Sequence, residues 1–170
     1  MKKLNMFVFT IFTCTLLSGC FQRIAKEGGG LNDYTGKVLA AQDKNKPICL
    51  LQTKDERLFQ LTGPLAEELK SVPRAEVVIH GKQRESYPYT KVFVCSYTIT
   101  SIAGKYPFVG FVKDKGNKII LETIDDYKIY DLSVSSPLFS RITSGKKTWV
   151  VGSFDDSGKL HVVSFGILKP

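Results

Sequence analysis

This chain of 170 residues contains an internal repeat, which restricts the folds that it can adopt. Six short blocks recur in the same order, at an offset that drifts only from 68 to 74 residues. The paired blocks are 35–38 with 109–112, 50–53 with 120–123, 57–62 with 128–133, 64–65 with 137–138, 78–81 with 149–152, and 91–97 with 159–165. A repeat of about 70 residues is longer than a solenoid unit and suits a small domain. It predicts tandem domains at 34–102 and 108–170; the alternative is chance similarity between two β-rich segments.

Each copy contains five short runs of β-branched and aromatic residues separated by polar breaks, a pattern typical of β-strands. In the first copy we expect strands at about 35–41, 48–53, 57–62, 75–82 and 91–100. After the third run, Pro64 opens a segment with early acids and a late lysine, which favours a short helix. Leu65 and Leu69 share one face of this helix because they are four residues apart. Residues 136–142 repeat the pattern in the second copy.

Five strands with a helix between the third and fourth is the plan of the OB-fold, a small Greek-key barrel. The first copy also resembles exported bacterial OB-fold groups at 36–38 (GKV), 59–63 (FQLTG) and 78–81 (VIHG). The second copy departs from this pattern, because Val134 stands where the first has Gly63. The resemblance implies an all-β protein of two tandem five-stranded OB-fold-like barrels, each with a short helix between strands 3 and 4. A β-sandwich or a pair of SH3-like barrels is the competing architecture.

The N-terminus has the layout of a secretory signal. Lys2 and Lys3 precede an apolar run over 4–17 that is too short for a stable anchor. The run ends in 17–20 (LSGC), which resembles the lipobox of bacterial lipoproteins. That resemblance implies that residues 1–19 are removed and that Cys20 becomes the lipidated first residue, carrying acyl chains such as palmitate. The alternatives are an ordinary signal peptide with a chance cysteine, or the buried start of a domain.

Removal of the leader leaves a mature chain of 151 residues with a formal charge of +6, from 22 basic and 16 acidic side chains. Its acyl chains tether it to a membrane. Residues 20–33, with glycines at 28–30, are predicted to be the lipidated cysteine and a flexible tether. Phe21 stands where lipoproteins of the inner membrane often have Asp, so the resemblance implies an outer-membrane protein facing the periplasm. A Gram-positive host is the alternative.

Two cysteines remain in the mature domains, at Cys49 and Cys95. Disulfides persist in exported proteins, and this pair would stabilise the chain by about 4 kcal/mol in the chain-entropy model. The sequence therefore predicts a Cys49–Cys95 disulfide; the alternative is two buried, reduced thiols.

The residues that enzymes use for chemistry are sparse. His80 and His161 are the only histidines, and neither has a second ligand at metal-binding spacing. The paired acids at 125–126 and 155–156 lie in predicted turns, where Asp bonds its own backbone. The sequence predicts no enzyme, no metal and no cofactor.

The strongest candidate for a binding site follows from the positions of the loops in an OB-fold. OB-folds bind ligands along strands 2 and 3, between the loop joining strands 1 and 2 and the loop joining strands 4 and 5. In the first copy these are loops 42–47 and 83–91, which we expect to project on the same side. Their candidate ligand-binding residues are Lys44, Lys46, Arg84, Tyr87, Tyr89 and Lys91. The alternative is a loop that only packs onto its own barrel.

Cations beside rigid aromatic rings suit a glycan, an anionic envelope polymer, a small ligand or an envelope protein. The sequence thus predicts a lipid-anchored, non-catalytic binding module; the alternative is an assembly accessory that uses the barrels as spacer and adaptor. Nucleic acid, the usual partner of a basic OB-fold, is not expected here. Export is predicted, the charge is modest, and aromatic residues do not line strands 2 and 3 regularly.

Overall fold

The structure is a computed structural model that describes residues 30–116, 118–135, 141 and 144–169. The first repeat contains strands β1 to β5 and one helix, α1. Their bounds are β1 Leu31–Asp43, β2 Lys46–Thr53, β3 Leu58–Thr62, α1 Pro64–Lys70, β4 Glu76–Arg84 and β5 Thr90–Ser101. The second repeat contains β6 Phe108–Asp114, β7 Ile119–Thr123, β8 Ile129–Ser133, β9 Lys147–Phe154 and β10 Leu160–Ile167.

Each repeat closes into a five-stranded barrel. Barrel 1 has the strand order β1-β2-β3-β5-β4, and barrel 2 repeats it as β6-β7-β8-β10-β9. The third and fifth strands of each barrel run parallel, and the other neighbours are antiparallel. Closure leaves neither sheet with an unpaired edge. The predicted all-β architecture of two OB-fold-like barrels is confirmed at this level. Among the residues described, no helix is both long and apolar enough to cross a membrane.

Side chains alternate between inward and outward positions along each strand, and the inward ones form the core of each barrel. In β4, Val77 and Ile79 point inward and are fully buried, while His80 faces solvent. Gly36 and Gly110 occupy equivalent places in β1 and β6, and a Cβ atom at either would overlap a carbonyl group of the neighbouring strand. The first strand of each barrel can therefore follow its neighbour closely only because it has glycine there.

The predicted helix is present in barrel 1. Pro64 occupies its first turn, and Gly63 precedes it with a φ of 95°, a value that favours glycine. Ala66 and Leu69 are buried against the barrel, and Leu65 packs at the edge of the same core. The corresponding helix of the second copy, predicted over 136–142, lies outside the continuously described residues.

The start of barrel 1 differs from the sequence expectation. β1 begins at Leu31, so the last three residues of the predicted tether, 31–33, are strand. They pair with residues 80–82 of β4, and this backbone pairing extends β1 beyond its apolar pattern. The earlier part of the tether and the signal peptide, residues 1–29, lie outside the described residues.

The two barrels contact each other through α1 and β5 of barrel 1. Leu168, which follows β10, is only 3% exposed and belongs to the core cluster of barrel 1. The Lys147 ammonium donates to the Glu68 carboxylate at 2.6 Å and to the Tyr97 hydroxyl at 3.2 Å. Tyr97 donates to Glu68 in turn. Burial, and then the Glu68 carboxylate, raise the pKa of Tyr97, which keeps this hydroxyl a donor.

The predicted disulfide is corrected by the structure. Cys49 and Cys95 are free thiols. Cys49 points into the core of barrel 1, whereas Cys95 lies outside, because Val92 and Val94 take the inward places on β5. The two sulfur atoms therefore face opposite sides of the barrel wall. Burial raises the pKa of the Cys49 thiol to about 12.

Candidate functional site

The first predicted loop is a tight turn. β1 and β2 stay paired up to Asp43 and Lys46, so only Lys44 and Asn45 connect them. Both connecting residues have positive φ, 46° and 65°, as a two-residue type I′ hairpin requires. The loop predicted over 42–47 is therefore shorter than expected, because strand pairing continues into both of its ends. Lys44 and Lys46 are exposed at this turn.

The second predicted loop joins β4 to β5. Arg84 and Lys91 are register partners where these strands part, so two cationic side chains lie at the base of the loop. Tyr87 is 96% exposed, and Tyr89 is half-buried. An almost fully exposed tyrosine offers both faces of its ring to a ligand.

Hydrogen bonds tie the start of this loop to the strands that carry it. The Glu85 carboxylate accepts from the Gln83 side-chain amide at 2.8 Å and from the Thr90 hydroxyl at 3.4 Å. Gln83 in turn accepts a hydrogen bond from Tyr34 at 3.2 Å. The segment between β4 and β5 is thus anchored at both ends, which fixes where Tyr87 emerges.

The two loops lie at opposite ends of β2, so the expectation that they project on the same side is wrong. The β1–β2 turn precedes β2, whereas the β4–β5 loop leads into β5, whose start pairs with the start of β3. The start of β3 pairs in turn with the end of β2. β2 has 8 residues, and at ~3.3 Å per residue it separates the loops by about 25 Å. The structure brings together Arg84, Tyr87, Tyr89 and Lys91, and it separates them from Lys44 and Lys46.

The outer surface of β3 and β5 connects the two loops. On it lie Leu58 and Gln60 of β3 and Lys91 and Phe93 of β5, a set that we name the outer strip. Phe93 is 46% exposed. Its ring lies against Gly63, where an added Cβ would come within 2.9 Å of the ring. The backbone at Gly63 therefore packs against an aromatic ring that is not among the candidate residues predicted from the sequence.

A group of four aromatic rings on barrel 2 is not predicted from the sequence. Phe108 contacts Tyr106, Tyr130 and Phe154 with ring centroids 6.1, 5.3 and 5.7 Å apart. Tyr130 and Phe154 also contact each other at 5.4 Å. Tyr106 is 61% and Phe154 50% exposed, so the group opens to solvent. The repeat could have revealed this group, because Phe154 corresponds in the alignment of the two copies to the polar Gln83.

Both histidines lie on the surface of the protein. His80 lies in the middle of β4 and pairs with Asp33 of β1, and His161 is exposed on β10. Within the described ranges, no group of three or more His, Cys, Asp or Glu side chains is arranged to hold a metal ion.

No protein-family model matches the chain, and no curated protein matches it. Among solved structures it is similar to the wild-type single-stranded DNA binding protein from Thermus aquaticus, with 9% identity and a TM-score of 0.30 over 85% of this chain and 95% of that chain. It is also similar to the tetrameric p202 HIN2, with 16% identity and a TM-score of 0.28 over 84% and 97% of the two chains. For the p204 HINb domain these values are 12%, 0.27, 82% and 97%.

The expectation that nucleic acid is not a partner is corrected. The sequence favours a glycan, an anionic polymer or an envelope protein over nucleic acid, yet one of the similar proteins is a single-stranded DNA binding protein. The exclusion relied on export, on a modest charge and on the lack of regularly spaced aromatic rings along strands 2 and 3. The structure places such rings on adjoining elements instead, with Phe93 on β5 beside β3 and Tyr87 on the loop that leads into β5.

Proposed function

We propose that this protein is a lipid-anchored, non-catalytic binding module that holds single-stranded nucleic acid on barrel 1. One observation carries the proposal: a tyrosine that is 96% exposed, Tyr87, lies on the loop whose base is formed by the paired cations Arg84 and Lys91. Single-stranded nucleic acid alternates flat bases with phosphates, and proteins bind it with aromatic rings and a positively charged groove.

The outer strip extends this site along the barrel. Lys91 occupies the outer face of β5 two residues before Phe93, so a cation and a half-exposed ring follow each other along one strand. Gln60 is the register partner of Lys91 on β3 and adds an amide beside it. A strand that stacks on Tyr87 therefore meets a further cation and a further ring along the outer strip.

The anchor is a separate part of the proposal. We infer that Cys20 is lipidated and holds the protein in the cell envelope, facing the periplasm from the outer membrane, so that its ligand is nucleic acid outside the cytoplasm. The lipobox-like residues 17–20 support this part. Cys20→Ser should leave an unprocessed precursor without lipid label. Unchanged processing and labelling would contradict the anchor and leave the ligand proposal standing.

The binding site is tested by fluorescence anisotropy of the full chain, purified in detergent, with a labelled oligothymidylate of about 15 nucleotides. Base stacking on an aromatic residue contributes about 1–3 kcal/mol, so Tyr87→Ala should weaken binding about fivefold or more. Tyr127→Ala is the matched control, because this loop tyrosine of barrel 2 is also strongly exposed, at 80%. It should leave the affinity unchanged.

Two further measurements separate a specific site from general charge attraction. Lys91→Gln should reduce the slope of log affinity against log salt by about one, the expected change for one lost phosphate contact. A DNA duplex of the same length should compete poorly. The proposal fails if the oligothymidylate does not bind, or if Tyr87→Ala and Tyr127→Ala weaken binding equally.

A further inference from the structure

The two barrels have one equivalent end that is closed by different side chains in each. In barrel 1 this end is formed by the β2–β3 and β4–β5 loops. In barrel 2 it is formed by the β7–β8 and β9–β10 loops. The residues that line it in barrel 1 are Tyr34, Phe59 and Gln83, and their counterparts in barrel 2 are Phe108, Tyr130 and Phe154. Because the backbone plan is the same, the side chains alone decide how each end meets its surroundings.

The end of barrel 1 is capped by its own polar side chains. Tyr34 and Phe59 are buried and meet edge to face at 5.2 Å. The Tyr34 hydroxyl donates to Gln83, and the Arg57 guanidinium lies over the Phe59 ring, 5.6 Å from its centroid. Asp55 holds that guanidinium in place with a 2.6 Å ion pair. A guanidinium over a ring, braced by a carboxylate, completes this end of the barrel.

Among the residues that the structure describes, barrel 2 has no counterpart of either cap. Phe154 replaces Gln83 and is 50% exposed, and Tyr106 adds a second exposed ring. Lys128 stands at the place of Arg57, and its ammonium pairs with Asp126 at 2.8 Å. We call this group of four rings, Tyr106, Phe108, Tyr130 and Phe154, the open end of barrel 2.

The charges beside the open end favour a cation. Its two loops, 124–128 and 155–159, carry four carboxylates against two ammonium groups. Asp155 directly follows Phe154 and accepts hydrogen bonds within its own turn from Ser157 and Lys159, which fixes the position of its carboxylate. An excess of carboxylates repels a polyanion and attracts a positive group.

We propose that the open end of barrel 2 binds an arginine side chain of a partner peptide. The guanidinium stacks on the exposed rings as Arg57 stacks on Phe59, and the carboxylates beside Phe154 accept its N–H groups. Arginine suits this place better than lysine, because its planar group stacks on a ring and donates to carboxylates at the same time. This site lies on the other barrel from the proposed nucleic-acid site and stands independently of it.

The test is an NMR titration of the full chain, in detergent, with a blocked nonapeptide of glycine and serine that has one central arginine. Lysine and glutamine versions of the peptide are the comparisons. We expect saturable shifts of the ring protons of Tyr106, Tyr130 and Phe154. A cation–π contact at an exposed site corresponds to about a two- to fivefold change in affinity. The arginine peptide should therefore bind about threefold more tightly than the lysine peptide, and the glutamine peptide should not bind.

Variants locate the site. Phe154→Ala should weaken arginine-peptide binding about threefold or more, and Tyr106→Ser should do the same if Phe154→Ala disturbs the fold. Phe111→Ala is the matched control, because Phe111 is 43% exposed on the outer face of β6 and is absent from the ring contacts of the open end. It should leave binding unchanged. Equal shifts with the glutamine peptide, equal losses in Phe111→Ala, or an oligothymidylate that needs Phe154 and displaces the peptide would each overturn the proposal.

Discussion

Leu168→Ala tests the most consequential packing contact of the fold. Leu168 lies at the end of the second repeat, yet it is only 3% exposed and packs in the core cluster of barrel 1. Its backbone N–H donates to the Lys147 carbonyl at 2.9 Å, which fixes its position relative to β9. The substitution therefore removes a side chain that joins the two barrels while it leaves every strand intact.

The expected loss in the free energy of unfolding is calculated from the carbon atoms that the substitution removes. Leu→Ala deletes three carbons, at about 0.8 kcal/mol each on transfer from water, which gives about 2.4 kcal/mol. A residual cavity adds to this, because Leu168 is almost fully buried and its surroundings relax only partly. We expect a loss of about 3 kcal/mol in the free energy of unfolding, within the range of about 2–5 kcal/mol typical of buried leucines.

The assay is urea unfolding of the full chain in detergent, followed by the fluorescence of Trp149. The chain has 1 tryptophan, and it packs against the core of barrel 1 from β9, so its emission reports the contact between the barrels. The control is Val163→Ala, since Val163 is 53% exposed on β10 and should change stability by less than about 0.5 kcal/mol. A loss below about 1 kcal/mol for Leu168→Ala would refute the assignment of this residue to the core of barrel 1.

Two further predictions concern single groups. In the native protein, a thiol reagent should modify Cys95 within minutes and Cys49 only after unfolding, because Cys49 is buried with a pKa of about 12; mass spectrometry of a Cys95→Ser variant checks this. The Lys128 ammonium and then the Thr123 hydroxyl lower the pKa of Asp126 from 3.8 to about 2. Because the folded-state pKa is depressed, Asp126 stabilises the fold above about pH 4 and loses this contribution as the pH falls towards 2. A side-chain NMR titration giving a pKa near 4 would contradict it.

Local patterns in the sequence were sufficient for the elements of the fold. Alternating apolar residues located the strands, and Pro64 located the start of α1, because these signals depend only on neighbouring residues. The turn after Phe154 also formed as predicted, with Asp155 accepting from the N–H groups of Ser157 and Lys159. The repeat predicted two barrels, and strand order confirms them.

The candidate site was predicted only in part. Arg84, Tyr87, Tyr89 and Lys91 come together because they share one loop and its two flanking strands, which is a local property. Their separation from Lys44 depends on the direction of every strand between the two loops. The sequence therefore predicts four side chains that do lie together, and it wrongly groups Lys44 and Lys46 with them.

The strands, the helix of barrel 1, the turns and the twofold repeat follow from the sequence alone, since each is encoded by spacing within a few residues or by similarity between the copies. Three features depend on how the folded chain packs: Cys49 and Cys95 lie on opposite sides of the barrel wall, Leu168 enters the core of barrel 1, and the rings around Phe108 meet at one open end. These contacts join residues far apart in the chain. Barrel closure and strand register bring such residues together, and neither leaves a periodic trace in the sequence.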